Sequence, residues 1–298
     1  MSQQVMSNPM KWCALFLLLA VIGENTSFGQ QVRPTFTDVA YDDDHPAQCV
    51  DVYLTESDKP TPVVVFIHGG GWRGGSKRGV PPWVLRLVAE KKASAVSVEY
   101  RFTDVAPHPA QVNDCLRAIQ FVRFNAKEWN IDTSRIGVTG GSAGGHLTAY
   151  VTLRDDVAQP TSDDQIERQS SRVACGISFA GPTDWSLLKT IDHKHPAYRQ
   201  LIGYEPGTPA DQMDPEKMVD VSPITFADAF DPPLMQIHGD ADDIVPIKHA
   251  QNLHKKLTDL KATSELVVIP GANHGVAGAG DAVSTRAVEF AQTYLLTP

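Results

Sequence analysis

The sequence has fewer basic than acidic residues, with 26 Lys and Arg against 35 Asp and Glu, and its formal net charge is -9. Nucleic acids and polybasic membrane contacts both require an excess of Lys and Arg to meet phosphate, so neither partner is expected. Glycine (22) and proline (21) are not concentrated in tracts, which excludes collagen-like and low-complexity chains. With 42% hydrophobic residues, the chain is predicted to be globular.

The sequence also lacks a hydrophobic run long enough to cross a bilayer as a helix, which takes about 20 residues. A twelve-residue apolar run, residues 12–23, is preceded by Lys11. Ser27 and Gly29 follow it as small residues at the positions that a signal peptidase reads. The pattern predicts a signal peptide over residues 1–29 and a secreted or periplasmic protein. A buried N-terminal helix is the alternative interpretation.

Cysteine is scarce, since the chain has only four. Removal of the predicted signal peptide would leave Cys49, Cys115 and Cys175, so at most one disulfide could form. Cys115 belongs to an apolar stripe with helical spacing, where a small buried hydrophobe is expected, and Cys175 lies in a strand-like run. We therefore expect all three to be reduced and structural.

Short apolar runs alternate with helical segments along residues 30–298, which is typical of an α/β fold. The strand-like runs are continuous and rich in β-branched residues, as expected for a mostly parallel sheet buried on both faces. The first two runs, residues 35–41 and 49–54, predict an antiparallel pair at one edge. The prediction is one α/β domain, with an eight-stranded sheet and helices on both faces. The other predicted strands are residues 63–68, 94–100, 135–140, 173–180, 234–238 and 265–270, and the predicted helices are 81–92, 110–127, one from 143, 246–259 and 282–295.

Residues 181–233 interrupt this alternation between two predicted strands. They are rich in Pro, Asp and His. A structureless loop of that length is unusual in a compact domain, so short helices over one end of the sheet are expected. We refer to residues 181–233 as the cap segment.

Ser142 lies in the sequence GGSAG (140–144), between a predicted strand and a predicted helix. A G-x-S-x-G turn at that place bends the chain sharply and exposes the serine hydroxyl, and glycines flank it because larger side chains would obstruct the bend. Ser142 is therefore the predicted nucleophile. An ordinary strand-to-helix turn is the alternative, which the strand and helix predicted around it disfavour.

Three successive glycines follow another predicted strand, in the sequence HGGGW (68–72). Such a loop lets backbone N–H groups approach an oxygen that becomes negative in a tetrahedral intermediate. Gly70 and Gly71 are the predicted oxyanion donors, with the Ala143 N–H at the start of the nucleophile helix as a third. A phosphate-binding loop is the alternative, but the G-x-x-x-x-G-K-[ST] pattern is absent here.

A serine hydroxyl needs a base beside it and an acid that orients the base. In chain order, these should follow the nucleophile on loops after later strands. His274, in GANHG after the last predicted strand, is the predicted base. Three aspartates cluster after the preceding strand. Asp242 is the predicted acid, and Asp240 and Asp243 are left as solvated or loop-capping carboxylates.

Five motifs occur in order along the chain: HGGGW (68–72), EYR (99–101), GGSAGG (140–145), HGDADDIVP (238–246) and GANHG (271–275). Together they resemble the α/β-hydrolase esterases, most closely the exported acetyl xylan and feruloyl esterases (BD-FAE-like) and the hormone-sensitive-lipase-like group. The resemblance covers nearly all of the predicted mature chain. It implies an α/β-hydrolase fold, an acid at the aspartate of HGxxD, which is Asp242, and neither metal nor organic cofactor.

The chain departs from the hormone-sensitive-lipase-like pattern in two places. Tyr100 and Arg101 are followed by Phe-Thr-Asp-Val-Ala-Pro, where that group has Leu-Ala-Pro-Glu. The acid of that group usually lies in an Asp-Pro-Leu context, not in HGxxD. These departures favour the small exported carbohydrate-esterase branch, and no substrate is carried over from it.

Other residues that could carry chemistry have a structural interpretation. His146, four residues past Ser142 on the same predicted helix, is expected to be packed and not a second base. His193 and His195 form an H-x-H pair in the polar cap segment that is expected to face solvent, so no metal site is predicted. Trp72, beside the glycine loop, is the best aromatic candidate for substrate binding, with packing as the alternative.

The sequence therefore predicts a serine carboxylic-ester hydrolase that forms an acyl-enzyme and needs no cofactor. Short-chain acyl esters, or acetylated or feruloylated carbohydrate esters, are the expected substrates on family analogy. A serine peptidase or amidase on the same fold is one alternative. A non-catalytic binding protein on this fold is another, and it would require a broken triad.

Overall fold

A computed structural model describes residues 32–191, 195–276 and 280–297. The segment predicted to be a signal peptide, residues 1–29, lies outside the described residues. Eight strands form one sheet. They are β1 Phe36–Ala40, β2 Cys49–Tyr53, β3 Thr61–Ile67, β4 Ser94–Val98, β5 Ile131–Gly141, β6 Cys175–Phe179, β7 Leu234–Gly239 and β8 Ser264–Ile269.

The strand order across the sheet is β1-β2-β4-β3-β5-β6-β7-β8. β1 and β2 pair antiparallel, and β2 is antiparallel to β4, whereas all the later pairs are parallel. The predicted mostly parallel, eight-stranded sheet with an antiparallel pair at one edge is thus confirmed. Because the carboxyl ends of parallel strands meet at one edge, the loops after β3, β5, β7 and β8 converge there.

Helices cover both faces of the sheet, as the sequence predicted. One hydrophobic core lies between the sheet and α2 and α3, and α6 packs beside α3. The other core lies between the opposite face and α1 and α7. The helices are α1 Pro82–Ala89, α2 Ala110–Phe124, α3 Ala143–Leu153, α4 Ala197–Leu201, α5 Pro215–Asp220, α6 Lys248–Asp259 and α7 Asp281–Ala291.

The strand before the nucleophile candidate is longer than predicted. β5 begins at Ile131, whereas the sequence predicted a start at residue 135. The first residues of β5 are polar, so the apolar pattern does not predict them as strand. Within them, Asp132 accepts a hydrogen bond from the Ser134 N–H at 2.9 Å. The pairing of β5 with β3 is also irregular at this place, between Thr61 and Val63 of β3.

The three cysteines of the described residues are buried and not disulfide-bonded. Cys115 is 0% exposed on α2, and Cys175 is 1% exposed at the start of β6. Burial raises the pKa of the Cys175 thiol to about 12, which makes it a poor nucleophile. The prediction of reduced, structural cysteines is confirmed for this part of the chain.

The cap segment packs on the α3 side of the sheet through apolar side chains. Trp185, Tyr198 and Leu201 are almost fully buried and belong to the same core as α3. Besides α4 and α5, its described residues form three short 3-10 turns: Trp185–Lys189, Ala210–Gln212 and Pro223–Phe226. Within the described ranges, no helix has the length and apolar character needed to cross a membrane.

Candidate active site

Ser142 occupies the sharp turn between β5 and α3. Its backbone lies in the left-handed region, at φ 56° and ψ -119°, which L-residues with a side chain seldom adopt. The Ser142 N–H donates to the Phe179 carbonyl at 2.8 Å and so fixes the turn to β6. A Cβ on Gly144 would stand only 2.1 Å from the Ile67 carbonyl oxygen. Glycine is thus required at position 144 for α3 to approach β3.

The structure brings Ser142, His274 and Asp242 together at the carboxyl edge of the sheet. His274 Nε2 lies 2.8 Å from Ser142 Oγ, and His274 Nδ1 lies 2.8 Å from Asp242 Oδ2. An ionised carboxylate can only accept, so Nδ1 carries the proton and Nε2 is left to accept from the serine hydroxyl. An imidazole in this tautomer can remove a proton from Ser142.

The Asp242 carboxylate is buried and held by four donors. Its Oδ1 accepts from the Ile244 and Val245 N–H groups at 3.0 and 2.9 Å. Its Oδ2 accepts from His274 and lies 3.3 Å from Nε2 of buried His238. Burial opposes ionisation, but the hydrogen bonds from His238, His274 and Val245 outweigh it and hold the pKa of Asp242 well below its usual range.

His238 is a supporting residue to which the sequence analysis assigned no role. It is 1% exposed, and its Nε2 lies 2.7 Å from the Val245 carbonyl oxygen. Because both Val245 O and Asp242 Oδ2 are acceptors, Nε2 is the protonated nitrogen and orients both groups. The signal was present in the motif, since His238 is the next-to-last residue of β7 and precedes Asp242 by four residues.

The other two aspartates of the cluster are not hydrogen-bonded to His274 in the described part of the chain. Asp240 is exposed, and its Oδ1 accepts from the Gly271 N–H at 2.6 Å. This hydrogen bond connects the loop after β7, which carries Asp242, to the loop after β8, which carries His274. Asp243 is exposed. Their places agree with the loop-capping and solvated interpretations.

The glycine loop after β3 presents unengaged backbone amides beside Ser142. Gly70 and Gly71 have φ of 119° and 62°, which glycine adopts without strain. Within the described residues, neither N–H donates to a protein acceptor, and neither does that of Ala143 at the start of α3. Gly70 and Gly71 line one cleft with Ser142 and His274.

A polar cluster that the sequence did not predict holds this glycine loop in place. His68, 3% exposed, lies with Nε2 2.7 Å from Glu99 Oε1 and Nδ1 2.7 Å from the Gly69 carbonyl oxygen. The Tyr100 ring stacks on His68 at 4.4 Å, and its hydroxyl donates to the His68 carbonyl. Glu99 and Tyr100 of the EYR motif thus support the glycine loop from the end of β4, the parallel neighbour of β3.

The cleft has a volume of about 350 Å³ and two walls. The sheet-end wall comes from the loops after β3, β5, β7 and β8, and the cap wall comes from the cap segment. The sheet-end wall consists of Gly70, Gly71, Trp72, Arg73, Ser142, Ile244, Val245 and His274, and the cap wall consists of Pro182, His195, Ala197 and Tyr198.

Trp72 lines the cleft but exposes only 2% of its surface. Its Nε1 donates to His146 Nδ1 at 3.2 Å, and His146 Nε2 donates to the Val221 carbonyl at 2.8 Å. Burial lowers the pKa of His146 to about 3, so the ring is neutral. The packed interpretation of His146 is confirmed, and the Trp72 ring is mostly used for packing against it and against Trp185.

Arg73 of the sheet-end wall and His195 of the cap wall both line the cleft. Arg73 Nη1 donates to Gln200 Oε1 on α4 at 2.6 Å. His195 Nδ1 accepts from the Ala197 N–H at 3.3 Å, and burial, together with Arg73 and His274, lowers the pKa of His195. His193, its partner in the H-x-H pair, lies outside the described residues. Among the described residues, no three His, Cys, Asp or Glu side chains are grouped so as to hold a metal ion.

Comparison with known proteins finds that the chain is similar to ester hydrolases. Residues 50–257 match the model of the BD-FAE family. Esterase LipC of Mycobacterium tuberculosis is 30% identical over 246 residues, which are 80% of this chain and 59% of LipC. The chain spans about half the length of the curated relatives it matches.

Two solved structures are similar over most of the chain. One is a truncated carbohydrate esterase from gut microbiota, with a TM-score of 0.73 and 26% identity, covering 87% of this chain and 95% of that one. The other is an acetyl ester-xyloside bifunctional hydrolase from Caldicellulosiruptor lactoaceticus. It has a TM-score of 0.70 and 26% identity and covers 82% of this chain and 87% of its own.

Proposed function

The chain belongs to the BD-FAE family of α/β-hydrolase esterases, and on that basis we propose that it hydrolyses carboxylic esters with Ser142, His274 and Asp242. In the first half-reaction, His274 Nε2 takes the proton of Ser142 as Oγ attacks the ester carbonyl carbon. Asp242 keeps the proton on Nδ1 and stabilises the imidazolium that forms. His274 then protonates the departing alcohol, which leaves an acyl group on Ser142.

The amides of Gly70, Gly71 and Ala143 bind the oxygen that becomes negative in this step. They act without reorganisation, because they are unengaged within the described residues and fixed by the glycine loop and α3. In the second half-reaction, His274 removes a proton from a water molecule that attacks the acyl carbon. Collapse of the second tetrahedral intermediate releases the acid and regenerates Ser142.

The observation that carries this proposal is the continuous chain of two 2.8 Å contacts, Ser142 Oγ to His274 Nε2 and His274 Nδ1 to Asp242 Oδ2. Replacement of Ser142 by Ala removes the nucleophile but leaves the fold intact. The pure variant is expected to lose hydrolysis of p-nitrophenyl acetate by a factor of about 10⁴ or more in kcat. Undiminished hydrolysis by Ser142→Ala would show that the assignment is wrong.

For the substrate, we propose short acyl groups on a carbohydrate or other small alcohol. The small apolar lining, with Ala197, Ile244 and Val245, favours a short acyl chain, and two related structures are named as a carbohydrate esterase and an acetyl ester-xyloside hydrolase. The test is a panel from acetyl to dodecanoyl p-nitrophenyl esters, with acetylated xylan and methyl ferulate. The highest kcat/KM is expected for acetyl esters, and a maximum at octanoyl or longer chains contradicts the proposal.

We further propose that the enzyme acts outside the cytoplasm after cleavage near Gly29, on the strength of the apolar run at residues 12–23. Expression of the full chain with a C-terminal tag tests this proposal. The tagged protein should be recovered from the periplasm or medium with an N-terminus close to residue 30. Recovery only from the cytoplasm, with residues 1–29 intact, contradicts it.

A further inference from the structure

The cleft that contains Ser142 differs in charge from the rest of the molecule. The chain has a net charge of -9, yet none of the twelve described residues that line the cleft is an Asp or Glu. Among these twelve residues, Arg73 is the one whose side chain is permanently charged. A larger groove beside α2, called the flank groove, is instead rich in acidic side chains. It is lined by five carboxylates and two arginines: Asp42, Asp44, Asp114, Asp164, Glu167, Arg101 and Arg117.

Arg73 has no carboxylate partner within the described ranges. Its guanidinium donates to the amide oxygen of Gln200, which is neutral. The two arginines of the flank groove are different, because Arg101 pairs with Asp114 at 2.6 Å and Arg117 pairs with Asp164. Gln200 therefore orients the Arg73 side chain without neutralising it, and the charge remains available to a ligand.

The position of Arg73 places this charge beside the reacting ester. A Cβ built on Gly71 would lie 3.9 Å from Arg73 Nε and 3.6 Å from His195 Cε1, so both side chains border the loop that is proposed to bind the oxyanion. A planar guanidinium forms two parallel, charge-assisted hydrogen bonds with a carboxylate. A neutral amide or hydroxyl group on a ligand cannot form this paired contact. A carboxylate carried a few bonds from the ester carbonyl can therefore reach Arg73.

We infer that the cleft prefers esters that also carry a carboxylate, as an acylated uronic acid does, and that Arg73 is the residue that selects them. The inference rests on the proposed esterase function, and it names the substrate class of the same site. The carboxylate can belong to the alcohol or to the acid part of the ester. Arg73 acts on binding, so its effect falls mainly on KM.

Matched esters test the inference on each side of the scissile bond. On the alcohol side, 4-acetoxybenzoate is compared with its neutral methyl ester. On the acid side, p-nitrophenyl hemisuccinate is compared with p-nitrophenyl butyrate. The quantity measured is the ratio of kcat/KM for the charged ester to that for its neutral partner, at low ionic strength.

In Arg73→Gln, at least one of the two ratios is expected to fall by about tenfold or more relative to the native protein. Arg73→Lys keeps the charge but not the paired hydrogen bonds, so its ratios should lie between those of the native protein and those of Arg73→Gln. Arg78→Gln is the matched control, because Arg78 is exposed on the same loop and does not line the cleft. The ratio of the native protein should also decrease in about 0.5 M NaCl, because Arg73 is exposed to solvent and salt weakens its attraction for a carboxylate.

The inference is overturned if both ratios fall by less than tenfold in Arg73→Gln, or if Arg78→Gln lowers them equally. The neutral esters keep this outcome distinct from failure of the proposed function. If the native protein hydrolyses them and Ser142→Ala does not, the esterase assignment stands whatever the ratios are. If the native protein hydrolyses no ester, the proposed function itself fails.

Discussion

The sheet-end wall of the cleft depends on backbone groups and glycines, whereas the cap wall depends on side chains packed between distant segments. In the sheet-end wall, the left-handed turn at Ser142 and the close approach of Gly144 to β3 are set by the ends of parallel strands. In the cap wall, Tyr198 is held by burial against Trp185, and its carbonyl accepts from the Trp185 indole. The first wall contains the proposed reacting groups Ser142 and His274, and the second closes the opposite side of the cleft.

Among the described residues, polar side-chain contacts join the sheet-end wall to the cap segment, including one from the Tyr198 hydroxyl to the Ile244 carbonyl at 3.4 Å. His146 on α3 connects Trp72 of the sheet-end wall to Val221 of the cap segment. Arg73 makes another connection, to Gln200. The comparison implies that substitutions in the sheet-end wall should mainly abolish turnover, and that substitutions at the junction or in the cap segment should mainly change stability or selectivity.

The largest loss of activity is expected from Asp242→Asn, because Asp242 holds His274 of the sheet-end wall. The amide cannot stabilise the His274 imidazolium and favours the wrong tautomer, so kcat for p-nitrophenyl acetate should fall by about 10⁴-fold. The exposed neighbour Asp243 provides the matched control, and Asp243→Asn should stay within about threefold of the native rate. A loss in Asp243→Asn larger than that in Asp242→Asn would show that Asp242 is not the acid.

Gly144→Ala should damage both folding and turnover. Its methyl group would lie 2.1 Å from the Ile67 carbonyl oxygen, so α3 must move away from β3 and take Ser142 with it. We expect a loss of about 3 kcal/mol or more in the free energy of unfolding, measured by urea denaturation, with a large fall in kcat. Gly74→Ala is the control, since a Cβ there meets nothing within 4 Å. A Gly144→Ala protein as stable and active as Gly74→Ala would refute the close approach.

His146→Ala tests the junction of the walls. It leaves the Trp72 N–H and the Val221 carbonyl without a partner and opens a cavity, so about 2–4 kcal/mol of stability should be lost at pH 7.5. His254→Ala is the control, because His254 is partly exposed on α6, and it should cost less than about 1 kcal/mol. Loss of turnover without loss of stability would instead indicate a direct role in the reaction.

The stability difference between the native protein and His146→Ala should also depend on pH. The folded state holds the pKa of His146 at about 3, below the ordinary value of about 6.5. Its contribution is therefore complete above about pH 6.5 and declines as the pH falls towards 3, because only the unfolded chain takes up the proton. The difference measured at about pH 4.5 should be clearly smaller than at pH 7.5.

The smallest effect, and the only gain, is expected from Asp231→Asn at the end of the cap segment. Burial raises the pKa of Asp231 to about 6, and its Oδ1 has no partner among the described residues. The ionised carboxylate therefore destabilises the fold above about pH 6, and this cost disappears as the pH falls towards 4. At pH 8 the variant should therefore be more stable than the native protein, and at about pH 4.5 this gain should be clearly smaller. The exposed Asp211→Asn should change little at either pH, and a gain that is equal at both would contradict the burial argument.

The same comparison explains what could be predicted from the sequence. The antiparallel pair at one edge of the sheet and the places of Ser142, Asp242 and His274 follow from local patterns, because glycine turns and strand ends are encoded by neighbouring residues. The contact of Arg73 with Gln200 joins residues 127 positions apart in the chain, and no local pattern encodes it. The beginning of β5 was missed for a local reason, since Asp132 and Ser134 interrupt its apolar run.

Ser142 is the proposed nucleophile that forms the acyl-enzyme. The most direct measurement is intact-mass analysis of the protein after treatment with a fluorophosphonate, followed by peptide mapping. We expect a single adduct on Ser142 that appears in step with loss of p-nitrophenyl acetate hydrolysis, and none in Ser142→Ala. An adduct on another residue, or complete inactivation with Ser142 unmodified, would contradict the account.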